Sequence, residues 1–133
     1  MYALARVGLF AAAVVVSAPA LAATSAPYAK GGRTVEFAQD VEKFRRSGEQ
    51  FRITGHCQSA CTMFLALPNV CIQPNARLLF HAGAQPIATQ RMMNSYNAKL
   101  RAYLTANRAM ETPAFHTVSG SDMINKFGYR RCP

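Results

Sequence analysis

Hydrophobic and polar positions follow two periods along this chain. Residues 35–46 put Val35, Ala38, Val41 and Phe44 on one face with Phe37 beside them, and Glu36, Asp40, Glu42, Lys43 and Arg45 mostly on the other. That spacing predicts a helix, which Ser47-Gly48 stops. Residues 50–54 switch to period two, with Phe51 and Ile53 against Arg52 and Thr54, and read as a short strand. Residues 55–58 read as a turn. Residues 59–67 are almost unbroken apolar, bounded by Pro68-Asn69, and predict a buried helix with Ser59 near its N-terminus. Cys71-Ile72 and residues 76–81 flank a Pro74-Asn75 turn as two short strands, and residues 83–87 read as a loop. Met92, Met93, Tyr96, Leu100, Tyr103 and Leu104 give residues 89–109 helical spacing, predicting one long helix; Pro113 then interrupts. Ser119 opens a last helix over 119–126 with Met123, Ile124 and Phe127 inward, and residues 128–131 form a final extended piece. Helix–strand and strand–helix succession predicts an α/β layered fold with parallel pairing.

The N-terminus has a different pattern. Arg6 precedes an uncharged apolar run over 7–16 (VGLFAAAVVV), and Ser17-Ala18-Pro19-Ala20-Leu21-Ala22 follows with small residues at A-x-A spacing. This predicts a secretory signal peptide over 1–22, cleaved after Ala22, or after Ala20 as the second choice. The run is short for a spanning helix, which needs about 20 apolar residues. The expected location is therefore periplasmic or secreted. Residues 23–30 read as a linker or partial strand, Gly31-Gly32 as a tight turn, and 31–133 as one domain. With 133 residues, half of them hydrophobic, the chain excludes a multidomain enzyme and a disordered tail.

Export gives the cysteines a meaning. Cys57, Cys61, Cys71 and Cys132 are an even set, which in an oxidising compartment predicts two disulfides; three pairings are open. Cys57-x3-Cys61 with His56 and His81 is too loose a spacing for structural zinc, so no metal and no cofactor are expected.

The chemistry concentrates in residues 53–81, ITGHCQSACTMFLALPNVCIQPNARLLFH. A strand runs into Gly55, a tight turn carries Ser59, and a helix starts at once. This arrangement exposes a hydroxyl at a helix N-terminus and aims the Ala60 N–H at the same place: a nucleophile beside a donor for an oxyanion. His81, ending a strand, is placed to act as a base. Gly31-Gly32 presents further N–H groups without a Cβ in the way. The plain reading of the same residues is an N-cap, a structural histidine and a turn.

Gly31-Gly32, then Gly55-His56-Cys57-Gln58-Ser59-Ala60-Cys61-Thr62, then Pro74-Asn75-Ala76-Arg77 and Phe80-His81, resemble the Clp protease proteolytic subunit and its crotonase-fold relatives. The similarity is greatest to small periplasmic Clp-like proteins with a Gly-x-Cys-x-Ser-Ala-Cys motif. The resemblance implies a small ClpP/crotonase-like layered α/β fold with a short, largely parallel sheet. It implies Ser59 as nucleophile, His81 as base, and Gly32 and Ala60 as oxyanion hole. The substrate would be a peptide or acyl compound. The family's third triad member, an aspartate before the closing helix, has no counterpart: His116 and Thr117 stand nearest, Glu111 lies earlier and Asp122 later. The strands before the Gly-Gly turn are nearly missing, so the sheet is truncated at its N-terminal edge, or completed by a second copy in a homo-oligomer. The resemblance also favours Cys71–Cys132, with Cys57–Cys61 as a local bridge across the serine turn.

Charge adds a second function class. Lys and Arg exceed Asp and Glu by +9. Arg45-Arg46, Arg130-Arg131 and the series Arg91, Lys99, Arg101, Arg108 form no run of five, and no nucleic-acid motif is present. The excess reads as a solvated cationic surface, or as attraction to an anionic envelope surface. The alternative to a serine hydrolase is thus a non-catalytic, disulfide-stapled envelope domain that binds a partner or such a surface.

Overall fold

The computed structural model describes residues 8–16 and 22–133. The basic start and the small-residue stretch of the expected signal peptide, 1–7 and 17–21, lie outside the described residues. Residues 8–16 form no helix or strand, and Leu9, Phe10 and Val14 to Val16 are exposed. No described helix is long and apolar enough to cross a membrane.

Six short strands form two three-stranded sheets, where one was expected. In the first, β1 (Ala23–Thr24), β2 (Phe51–Ile53) and β4 (Val70–Ile72) lie parallel in the order β1-β2-β4. In the second, β3 (His56–Gln58) and β5 (Arg77–Phe80) are parallel, and β6 (His116–Ser119) runs antiparallel to β5. The α/β class and the largely parallel pairing stand. Residues 55–58, expected as a turn, are β3; Gly55, at φ +56°, turns the chain from one sheet into the other. A left-handed backbone there suits glycine alone at no steric cost.

Residues 23–30 take the partial-strand form. β1 pairs with β2, and the buried Ser25 holds the corner between the sheets: its Oγ accepts from Thr54 N–H at 2.9 Å and donates to the Thr54 carbonyl at 3.3 Å. The Ala29 carbonyl then accepts from Gln58 N–H at 3.0 Å, on the outer edge of β3.

Helix α1 (Thr34–Ser47) matches the expected one and ends on Gly48 in the left-handed conformation. It packs on the apolar segment Ser59–Ala66, which is a 3-10 helix, buried at six of eight positions. An element apolar all round must be enclosed. Phe64 stacks on Phe51 at 4.2 Å between ring centroids, with Phe44 and Tyr28 edge-on to Phe64.

The expected long helix over 89–109 is two helices, α2 (Pro86–Asn94) and α3 (Ala98–Ala106). Met92, Tyr96, Leu100 and Leu104 are all buried, so the apolar stripe continues across the break and conceals it. Asn97 makes the break. Its side chain caps α3 by accepting from Leu100 N–H at 2.9 Å, and its Nδ2 donates to the Phe127 carbonyl at 2.7 Å. Asn97→Ala removes both bonds and is expected to cost about 1–2 kcal/mol in urea unfolding. A loss no greater than that of an exposed polar-to-alanine change would show that the break is imposed by packing alone.

Helix α4 (Gly120–Asn125) has Ser119 as N-cap, its side chain accepting from Asp122 N–H at 3.0 Å. The C-terminal piece adds to the first sheet: Arg131 bridges Ile72 in parallel, and Cys132 N–H donates to the Ile72 carbonyl at 3.0 Å. There Cys71–Cys132 closes, and Cys57–Cys61 is the second bridge; both cysteine pairs are those the resemblance favoured.

Candidate active site

The serine turn is built by three neighbours. Gln58 ends β3 in extended backbone, and Ser59 is left-handed at φ +55°. A residue with a Cβ pays about 1–2 kcal/mol for that conformation, so the surroundings must hold it. The Cys57–Cys61 bridge spans the turn. Thr62 Oγ1 donates to the Ser59 carbonyl at 2.6 Å, and the buried Tyr96 hydroxyl donates to Thr62 Oγ1. Burial pushes the Tyr96 phenol far above its ordinary value, so it stays an uncharged O–H. Gly31 presses on the turn from the other side. A Cβ there would meet the Gln58 carbonyl oxygen at 2.8 Å and Ser59 Cβ at 3.0 Å.

Held this way, Ser59 Oγ lies 2.7 Å from His81 Nε2. His81 sits just beyond β5, and its other ring nitrogen, Nδ1, is 3.2 Å from the Pro113 carbonyl oxygen. A carbonyl only accepts, so Nδ1 carries the proton, and in neutral imidazole Nε2 is left as acceptor for the Ser59 hydroxyl. That is the tautomer a general base needs.

A loop reaches over from the end of α3 to hold the ring. The Ala82 N–H donates to the Thr112 carbonyl at 2.8 Å, Pro113 supplies the acceptor, and the Phe115 ring lies against the imidazole at 4.6 Å between centroids. The orienting group is therefore a backbone carbonyl. Among the described residues no carboxylate bonds to His81: Glu111 pairs with Arg108 at 2.6 Å and Asp122 with Lys126 at 3.2 Å. His116 faces away to the Tyr103 hydroxyl at 2.8 Å, and Thr117 is exposed opposite Leu79. Neither of these two side chains hydrogen-bonds the imidazole.

Gly32, Ser59 and His81 line one cavity of about 600 Å³, together with Val35, Arg91 and Met92. Met92 Sδ lies 4.0 Å from Ser59 Oγ. Ala60 is buried in the first turn of the 3-10 helix, where an N–H has no acceptor within the helix. Gly32 lines the same cavity as Ser59, and Ala60 follows the serine directly in the chain. Across residues 83–85 a neighbouring groove of about 510 Å³ has no titratable lining residue, and its one hydroxyl, Thr89 Oγ1, accepts from the Gly83 N–H at 2.8 Å. His56 is turned to Gln58 Oε1 at 2.7 Å, and all four cysteine sulfurs are in bridges. Among the described residues no group of three His, Cys, Asp or Glu is placed to hold a metal.

Pro113, Phe115, Arg91 and Met92 were not legible as site residues. A carbonyl acceptor has no residue signature. Arg91 and Met92 read as helix surface and core filler, because nothing in the spacing of α2 says which face meets a strand end.

The chain matches no known protein family, no curated protein and no solved structure.

Proposed function

We propose that the protein is an exported serine hydrolase or peptidase of the Clp-like, crotonase-related kind, acting on a peptide or acyl substrate. The 2.7 Å contact between Ser59 Oγ and His81 Nε2, with Nδ1 tied to a carbonyl, carries this reading. Ser59 Oγ attacks the acyl carbon and its proton passes to Nε2. The Ala60 and Gly32 N–H groups face the developing oxyanion. The C–N or C–O bond then breaks, the leaving group takes the proton from His81, and water repeats the sequence to release the acid. In the charged intermediate the Nδ1–H points at a neutral carbonyl dipole rather than a carboxylate, so the imidazolium is less stabilised than in a full triad. The left-handed Ser59 supports the reading too, because strained backbone gathers where a nucleophile must stand clear of its neighbours. Two disulfides support an oxidising compartment, periplasmic or extracellular.

Incubation of the purified protein with a fluorophosphonate probe tests this. Labelling is expected in the native protein and none in Ser59→Ala. Equal labelling of the two, or none in either, overturns the catalytic reading and leaves the disulfide-stapled binding domain.

A further inference from the structure

The cavity in front of Ser59 holds a positive charge that no neighbouring carboxylate neutralises. Helix α2 contributes Ile87, Ala88, Arg91 and Met92 to its wall. Met92 Sδ is 4.0 Å from Ser59 Oγ. Arg91 is the adjoining residue, its Cα about 3.8 Å along the chain, which leaves the guanidinium within a side chain's reach of the nucleophile. Arg91 is half-buried, and its Nη1 donates to Thr34 Oγ1 at 3.4 Å, at the start of α1. Among the described residues Arg91 has no salt bridge, and no Asp or Glu lines the cavity. The other arginine at the rim, Arg33, is already paired with Glu36 at 3.4 Å and is 78% exposed at its side chain. Beside Arg91 the cavity lining is apolar, with Ile87 one turn earlier on α2 and Val35 next to Thr34, and both leave large hydrophobic surface open to solvent.

A guanidinium tethered through one N–H keeps its other donors for a planar anion, and carboxylate is the anion its fork fits. Apolar lining around a fixed cation defines a ligand with both features. Resting on the Ser59–His81 reading, we infer that the substrate is a peptide carrying a carboxylate beside the scissile bond, and that Arg91 binds it. The carboxylate belongs either to an acidic side chain or to a free chain end. Bond making and breaking are those already given; Arg91 sets which acyl group is presented to Ser59.

The test compares labelling rates of two fluorophosphonates of equal length, one ending in a methyl ester and one in a carboxylate. The native protein is expected to react about tenfold faster with the carboxylate probe, the size of one charge-assisted bidentate contact. That ratio is expected to fall as salt is raised. Arg91→Gln is expected to bring the ratio to one or below. Arg91→Lys, which keeps charge without the fork, is expected to hold part of it and serves if the glutamine variant does not fold. Equal rates in the native protein, with labelling still lost in Ser59→Ala, overturn the carboxylate inference alone; no labelling by either probe overturns the hydrolase reading. Two competitor tetrapeptides then separate the sources, one with an internal glutamate and an amidated end, the other with glutamine and a free end. Protection by the first assigns a side-chain carboxylate and by the second a chain end, and protection by neither at millimolar concentration overturns the inference for peptides.

Discussion

His81→Gln lowers the rate of Ser59 acylation by a factor of at least about a thousand, the range expected when a nucleophile loses its base. Glutamine fills much of the same volume and keeps polar atoms near Ser59 Oγ and the Pro113 carbonyl, so thermal unfolding should move little. What glutamine lacks is a nitrogen able to take a proton. His116→Ala and Thr117→Ala are the matched controls. The first loses its bond to Tyr103 and the second is exposed on β6, and neither side chain hydrogen-bonds the imidazole. Both should retain the rate within about threefold, as side chains outside the reacting constellation do. The measurement is the second-order labelling constant with an alkyl fluorophosphonate. A loss from Thr117→Ala comparable with that from His81→Gln would show that the third position is filled by a side chain in solution, and that the carbonyl contact is not the orienting one.

Replacing Cys71 and Cys132 together with alanine is expected to cost about 4 kcal/mol, from the chain entropy that a bridge removes from the unfolded state. The bridge joins residues 61 apart in sequence. Removing Cys57 and Cys61, four apart, is expected to cost about half as much by the same reasoning. For a domain whose whole stability is about 5–15 kcal/mol, the first loss is severe. The longer bridge also pins the C-terminal piece against β4, where Arg131 and Cys132 extend the first sheet. Urea unfolding of the two double variants reads the difference. The shorter bridge should matter more for function, because it braces the left-handed Ser59; its loss should slow labelling more than the loss of the longer one. Equal losses of stability from the two pairs would contradict the loop-length argument.

The legible parts of this protein are those with a local signature. Val35, Val41 and Phe44 announce α1, Phe51 and Ile53 announce β2, and Ser119 announces the start of α4. Ser59 and His81 stood out because turn, helix start and strand end are each marked by nearby residues. The break between α2 and α3 was hidden because Met92, Tyr96, Leu100 and Leu104 keep one buried stripe through it, and Asn97 was its only mark. β3 and β6 were missed for another reason. Three or four residues with polar side chains among them have no readable period, and their pairing with β5 is decided by distant chain. The division into two sheets follows from Gly55, which reads equally well as a simple turn. The cysteine pairing was open on residue chemistry, and only the resemblance favoured the one observed.

The outer edge of β3 is closed by the chain itself. Gln58 N–H is taken by the Ala29 carbonyl, and the Gln58 side chain donates to the Lys30 carbonyl at 2.9 Å. An extended peptide adding as a further strand there would meet a Gln58 N–H that is already engaged. The cavity at Ser59 is walled instead by the start of α1 and by α2. Selectivity then falls to side chains on that wall rather than to main-chain pairing, so single substitutions at Val35, Ile87 or Arg91 can retune it without disturbing either sheet.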